Sequence, residues 1–519
     1  MLSCPSCGSD MIYDPQIKKI KCAYCGKRMT AQEYKENILK AAPNNESSSI
    51  DEKEQEEISK GELYKVKEFS CPQCGAKLLT TEETAATFCN YCDSSILIES
   101  RIINQRKPDF IIPFKKTKQE CEEAYKKYLR RAIFIPSDMK KYEQIEKFRG
   151  IYMPYWIYST EYSGTLDVNG RKFRRIFDYI HTKHYDMVSD VELKYDNITF
   201  DASSKFEDNL SQRIAPFNTD EKEEFNPAYL SGFYADIGDV AQEPYKELID
   251  SSFKNIVASH IVNNLTYKRY NVYDFDVERK LKFQSIAKIG FFPVWFLASR
   301  SKDGSRISYA IVNGQTGKVA AELPIDFKKY LVFTLILSII IFILLNIKVT
   351  LNPIITVVMS IIFSIISIII SLKQIDLINE KENREDDIGY QYSRTHKTEY
   401  YKYKSKEGIF EKIIKLMVWT YIFCIPIVGQ IIIIAYISSK DKVEREKIKK
   451  NLLEVMPQII GIIAIIVTLA LNPVYDIYYY LASAISMILV AISFSKIVKK
   501  HNLLASRKLP HLEKRGGDK

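Results

Sequence analysis

The chain lacks most of what an enzyme active site is built from. It has six histidines and three tryptophans in 519 residues. No Gly-x-Ser-x-Gly elbow occurs, and no pair of carboxylates can be placed together from spacing. Gly314-Gln315-Thr316-Gly317-Lys318 has the composition of a phosphate loop without its spacing. Such a loop needs four residues between its glycines and Ser or Thr after the lysine. Here two residues separate Gly314 from Gly317, and Val319 follows Lys318; a hairpin turn is expected instead. His181 and His184 stand three apart, so on a strand they face opposite sides and make no metal half-site. The long apolar runs after Lys329 hold no Asp, Glu, Lys, Arg or His near their centres, and ion pathways usually need such groups. The opening Met1-Leu2-Ser3 offers neither the charged nor the apolar region of a secretory leader, so none is expected. With no catalytic constellation, the chain reads as a non-enzyme.

What is present is cysteine in a repeated pattern. Cys4-Pro-Ser-Cys7 is followed by Cys22-Ala-Tyr-Cys25, and Cys71-Pro-Gln-Cys74 by Cys89-Asn-Tyr-Cys92. In both, fourteen residues separate the inner cysteines. Two Cys-x-x-Cys turns close a tetrahedron of four thiolates, the ligand set of structural Zn²⁺. Two zinc ribbons and two structural ions are therefore expected. A four-cysteine site has no open position for water or substrate, so these ions hold structure. Zinc thiolates also imply a reducing compartment, which places residues 1–100 in the cytosol. Cys121 and Cys424 have no ligand partners nearby in sequence.

Composition changes at Lys329. Tyr330–Ile347 is an uncharged apolar stretch of 18 residues and Val349–Leu372 one of 24, each long enough to cross a bilayer as a helix. Segments 459–471 and 474–495 repeat the arrangement around Asn472-Pro473, as Asn352-Pro353 does in the first hairpin. The first arm of the second hairpin is short unless it reaches back to Leu452, which would bring Glu454 to the interface. Between the hairpins, 413–437 is broken by Pro426 and Gly429. If it crosses, the basic run 440–450 faces outside, against the positive-inside rule. If it is re-entrant or interfacial, four crossings remain and every basic stretch faces the cytosol. That reading is favoured over five crossings. Ser360, Ser364, Ser367 and Ser371 line one helical face, which suits close helix packing better than a polar path. The net charge of +10 is mild, and much of it flanks apolar runs, where it bears on topology and anionic lipid.

The soluble part divides as ribbon 1 (1–30), a short helix and acidic flexible linker (31–65), ribbon 2 (66–100) and a β-rich α+β domain (101–328), with the transmembrane region at 329–519. The linker should let the first ribbon move relative to the second. In the α+β domain, Tyr152-Met153-Pro154-Tyr155-Trp156 echoes Phe291-Phe292-Pro293-Val294-Trp295. Two equivalent core strands of a duplicated domain, each starting at its proline, explain the echo better than exposed aromatic platforms. Nucleic acid is disfavoured as a partner. The second ribbon sets Lys77 against Glu82, Glu83 and Asp93, which is not the basic face such binding needs.

Phe69-Ser70-Cys71-Pro72-Gln73-Cys74-Gly75-Ala76, Phe88-Cys89-Asn90-Tyr91-Cys92, Ile112-Pro113-Phe114, the two Pro-x-Trp segments and Val312-Asn313-Gly314-Gln315-Thr316-Gly317-Lys318 together resemble a family of bacterial zinc-ribbon membrane proteins. Its names mention a transcription-factor-IIB-type zinc ribbon or a primosomal helicase. The resemblance covers residues 66–330. Without a Walker motif the helicase name carries no weight. Some relatives belong with membrane-stress systems of the phage-shock kind. The resemblance thus implies a membrane-anchored scaffold. The expected function is a non-enzymatic adaptor whose ribbons and α+β domain recruit a cytosolic or membrane protein partner to the cell membrane. The alternatives are a nucleic-acid-binding membrane protein and a transporter or channel component.

Overall fold

The computed structural model describes residues 4–41, 63–395 apart from short stretches within that range, and 442–508. The expected acidic stretch at 43–62 and the segment at 413–437 lie outside the described residues. The strands are β1 (Met11–Asp14), β2 (Lys19–Cys22), β3 (Arg28–Met29), β4 (Leu63–Ser70), β5 (Lys77–Thr80), β6 (Ala86–Phe88), β7 (Ser95–Leu97), β8 (Ser100–Arg106), β9 (Phe110–Ile111), β10 (Arg149–Ile176), β11 (Tyr179–Asp201), β12 (Glu223–Glu224), β13 (Tyr234–Asp236), β14 (Ile286–Arg300), β15 (Arg306–Asn313), β16 (Val319–Ala321) and β17 (Arg507–Lys508). The helices used below are α1 (Ala31–Ala41), α2 (Lys118–Arg131), α3 (Asp208–Ile214), α4 (Glu243–Val262), α5 (Asp274–Lys280), α6 (Phe327–Lys348), α7 (Pro353–Glu382), α8 (Ile388–Thr395), α9 (Lys442–Leu471), α10 (Ile477–Ser495) and α11 (Ile497–Leu504).

Two βαββ units, β9-α2-β10-β11 and β13-α4-β14-β15, face each other across a local two-fold axis. The central strands are antiparallel neighbours, and the echoed motifs lie directly opposite: Pro154 pairs with Phe291, and Pro293 with Tyr152. β9 runs parallel to β14, and β13 parallel to β10. Gly150–Tyr158 and Gly290–Ala298 are buried throughout, as befits strands covered on both faces. The motifs are thus paired core strands, as expected of a duplication. The prolines, however, sit inside the strands and do not start them. A proline has no N–H to donate, but its carbonyl still accepts. Pro154 takes a bond from the Ala202 N–H and Pro293 from the Gly314 N–H, each at 2.8 Å.

The two tryptophans make the duplication reciprocal. Trp156 Nε1 donates to the Val240 carbonyl and Trp295 Nε1 to the Lys116 carbonyl, both at 2.9 Å. Val240 leads into α4, and Lys116 leads into α2. Each ring therefore holds the loop that feeds the other unit's helix. The α2 start is further fixed by a capping box between Thr117 and Glu120, which satisfies two otherwise orphaned N–H groups.

The sheet does not respect the expected domain boundaries. Its order is β12-β9-β14-β10-β13-β5-β4-β8, so strands of ribbon 2 continue it through β13, with Ala235 opposite Leu79. The boundary expected at residue 100 falls at the first residue of β8. The opposite end of the chain joins as well: β17 pairs with β15, Arg507 lying opposite Ile307.

Among the described residues, three helices are long and apolar enough to cross a membrane: Pro353–Glu382, Asn451–Leu471 and Ile477–Leu504. The first apolar run lies on α6. Asn352 caps α7, its side chain accepting from the Ile354 N–H at 2.9 Å. The serine face of α7 is buried within the bundle. Ser364 Oγ lies 3.1 Å from Ser486 Oγ, and a Cβ on Gly461 would come within 2.8 Å of Ser486 Oγ. These are the close contacts that small residues permit. α9 does reach back past Leu452, and Glu454 meets Lys500 at 3.4 Å.

The bundle is stitched to the sheet domain. Arg306 reaches Glu382 at 2.6 Å, Lys381 pairs with Glu322, and Arg507 with Glu207. Asn502 exchanges two bonds with the backbone of Ile325, at 2.6 and 2.9 Å. The C-terminal ends of α7 and α11 and the sheet domain therefore share one side. At this junction Asp201, Asp208 and Asp387 are buried together. Asp208 accepts from the Ile388 N–H at 2.7 Å and from the Tyr245 hydroxyl at 3.0 Å.

The tryptophan bonds and the buried carboxylates each carry a measurable expectation. Trp156→Phe leaves the buried Val240 carbonyl unsatisfied and should cost about 1 kcal/mol, and Trp295→Phe, which frees the half-buried Lys116 carbonyl, should cost less, both read as a lower thermal midpoint of the full chain in nanodiscs. Burial, opposed by Arg384 and reinforced by Asp208, pushes Asp387 up to about 7. Its folded value is raised, so the stability it contributes is full below the ordinary carboxylate range, near 4, and is lost as pH rises through about 7. Thermal midpoints measured across pH 4–8 should fall over that window, and Asp387→Asn should flatten the fall.

Candidate metal centres

Both four-cysteine sets assemble. The sulfurs of Cys4, Cys7, Cys22 and Cys25 all lie within 4.8 Å of one another, and so do those of Cys71, Cys74, Cys89 and Cys92. Cys4 to Cys25 and Cys7 to Cys22 measure 3.6 Å. Cys71 to Cys92 and Cys74 to Cys89 measure 3.7 Å. A tetrahedron with metal–sulfur bonds of about 2.3 Å has edges of about 3.8 Å, so the spacing fits one four-coordinate ion per cluster. Charge points the same way: four thiolates this close repel unless a cation sits among them.

The first centre is held by local backbone. Cys4 and Cys7 flank one knuckle, Cys22 ends β2, and Cys25 lies in the second knuckle. The Gly8 N–H donates to the Cys4 carbonyl at 2.8 Å and the Gly26 N–H to the Cys22 carbonyl at 3.1 Å. Both glycines have positive φ, 76° and 71°, the conformation that closes each knuckle and that L residues resist. The Cys25 N–H points at the Cys22 sulfur at 3.5 Å. The Ser9 backbone N–H, foremost, pulls the Cys7 thiol down to about 6, while against the Lys27 N–H the neighbouring sulfurs push Cys25 up to about 12. Cys7 and Cys25 are exposed.

The second centre is built differently. All four of its cysteines are buried and belong to a core shared with Ile151, Tyr155, Phe292 and Phe296. The knuckle residue Tyr91 donates to Asp236 at 2.7 Å, and the Tyr309 hydroxyl donates to the Tyr91 carbonyl at 2.8 Å. Arg300 caps the Cys92 carbonyl. Asp236 also pairs with Lys205 at 2.5 Å, both nearly inaccessible. These clamps come from residues 145 and 218 positions away, and nothing in the local sequence announces them.

The first ribbon is not a tethered module in this structure. Its core residues Met11, Tyr13, Ile20 and Met29 pack with Phe114, Tyr229 and Phe233 of the sheet domain. Tyr13 stands edge-on to Tyr229 at 5.2 Å. Its N–H donates to the Ser231 carbonyl at 3.2 Å, and Asn226 donates to the Ala31 carbonyl at 2.8 Å. The expected freedom of ribbon 1 is thus overturned by a packed, hydrogen-bonded seat. Cys121 is buried on α2, remote from both clusters in sequence; Cys424 lies outside the described residues. His181 and His184 pair with Arg174 and Arg171 on opposite faces of the β10–β11 ribbon. Gly314–Lys318 is a turn between β15 and β16, closed by the Gly317 N–H on the Asn313 carbonyl at 2.8 Å.

No family model matches the chain, and no solved structure matches it. It is similar to a protein of Bacillus subtilis (strain 168), "Uncharacterized protein YdjG", at 29% identity over 329 residues. The match covers 62% of this chain and 89% of that protein.

The unequal burial gives a direct expectation. A mild chelator should remove the ion of the exposed first centre first and that of the second slowly. Cys7→Ser should loosen residues 4–34 alone, while Cys71→Ser should destabilise the whole sheet domain, since metal binding and folding are one event in such sites. Metal analysis with limited proteolysis of the full chain reads both effects.

Proposed function

We propose that this chain is a non-enzymatic, membrane-anchored adaptor that carries two structural Zn²⁺ ions and recruits a protein partner to the cytosolic face of the cell membrane. The observation that carries the reading is the pair of four-cysteine clusters on one sheet domain that is bonded to membrane-capable helices. Saturated sites leave no position for substrate, so their contribution is a fixed surface. Zinc is the ion of choice because four thiolates in tetrahedral array suit it. The cytosolic assignment rests on the thiolates, which need a reducing compartment, and on the basic stretches. The end of α7 at Glu382 and the start of the apolar part of α9, where Glu454 meets Lys500, lie on the sheet domain's side, which supports an even number of crossings between them and favours four crossings over five.

The second centre is buried, so recruitment falls to the first. Its outer edge presents Cys7, Cys25 and Tyr24, the last 83% exposed. The test is affinity purification of the full chain from native membranes after mild extraction, beside Tyr24→Ala and a deletion of residues 1–30. The expected outcome is a stoichiometric partner with the full chain, reduced several-fold by Tyr24→Ala and lost with the deletion. Equal recovery of partner without the ribbon, or none with the full chain, contradicts the proposal.

A further inference from the structure

An arm projects from the sheet. Ser159 is the last residue of β10 to pair with β14; beyond it, among the described residues, its ladder partner is β11, from Thr160 opposite Tyr195 to Ile176 opposite Tyr179, and at Arg171 the backbone also bonds to Tyr270 and Asn271. At about 3.3 Å per residue the arm is about 50 Å long. Its base packs on α4 and α5. Its apex is uncovered and apolar: Phe177 is 90% exposed, Tyr179 75%, Ile180 68% and Ile176 40%. Phe177 is also held at φ 54°, at the first loop position of a two-residue hairpin. Glycine or asparagine is the ordinary occupant of such a position, and a bulky residue there is strained. Folding alone does not ask for phenylalanine, so the strain points to a use for an exposed ring.

Behind the apex stand exposed cations on both faces. Lys172, Arg174 and Lys183 share one face and Arg175 lies on the other; Asp178 is the single acid from Gly170 to Tyr185. An apolar tip with a basic collar matches the layering of a bilayer surface, acyl boundary within and phosphates around. A nucleic acid would engage the collar and leave four apolar side chains in water. We propose that the apex inserts end-on into the headgroup layer of an anionic phospholipid bilayer. In this mode Ile176, Phe177, Tyr179 and Ile180 enter, and Lys172, Arg174, Arg175 and Lys183 sit at phosphate level.

The test places a reporter at the apex. Full chain carrying Phe177→Trp is reconstituted in nanodiscs of phosphatidylcholine, with or without phosphatidylglycerol and brominated acyl chains. Emission is read as the difference from the unsubstituted chain, which removes the native tryptophans. Vesicles of phosphatidylglycerol are added in a second arm, so that the chain's own bilayer and a second one are told apart. The expected result is a blue shift and bromine quenching that require phosphatidylglycerol in one of the two arms. Both should fall several-fold when Arg174→Glu and Arg175→Glu are added. Phe177→Gly should keep or raise the thermal midpoint, which shows an intact fold, yet lower capture by those vesicles or protection of the arm from protease in the anionic discs. A reporter that stays water-like and open to acrylamide in every lipid overturns the proposal. So does protection that appears only with duplex DNA or RNA.

Discussion

The antiparallel pairing of β10 with β14 is the constraint on which the rest of this structure depends. It sets Pro154 opposite Phe291 and Pro293 opposite Tyr152, and it aims each tryptophan at the other unit's helix entry. Because these strands are buried on both faces, their neighbours β9 and β13 must be covered in turn. β13 is covered by strands of the second ribbon. On the same domain, the first ribbon seats its apolar side against Tyr229 and Phe233. Both metal centres are therefore attached, by different routes, to one duplicated core.

The two centres share a spacing and differ in physical character. The first satisfies its knuckles with its own backbone and keeps two cysteines in solvent. The second is held by residues distant in sequence. Tyr91 is bonded to Asp236 and Tyr309, so an ion held there and the sheet would stabilise one another. One is a surface feature, and the other lies within the core. The junction with the membrane bundle follows the same logic of reciprocal bonding. Asn502 pairs both of its amide atoms with Ile325, and β17 adds an edge strand to β15.

Much of the site was legible in the sequence. The eight cysteines, their common spacing and the uncharged runs each carry a local rule, and local rules survive without knowledge of the fold. The paired Pro-x-Trp motifs pointed to a duplication because two of three tryptophans fell in the same pattern. What stayed hidden was long-range. Leu79 opposite Ala235, or Arg507 opposite Ile307, leaves no trace in either segment's own periodicity. The error about the first ribbon had a similar source. An acidic stretch at 43–62 reads as a tether, but whether a tethered unit floats is decided by the surface it can reach. Tyr13 and Met11 read as ordinary ribbon residues until Ser231 and Tyr229 are seen beneath them. Proline inside a core strand was misplaced because the rule against it assumes that every N–H in the ladder is needed.

Hydrogen exchange of the full chain in nanodiscs tests most directly whether ribbon 1, the sheet domain and the membrane bundle behave as one body. With metal bound, the amide of Tyr13 should exchange as slowly as those around Leu79 and Val294, and chelation should speed Tyr13 first. A ribbon 1 whose amides exchange on the timescale of a free loop, while β10 and β14 stay protected, would restore the floating-tether picture and contradict the account.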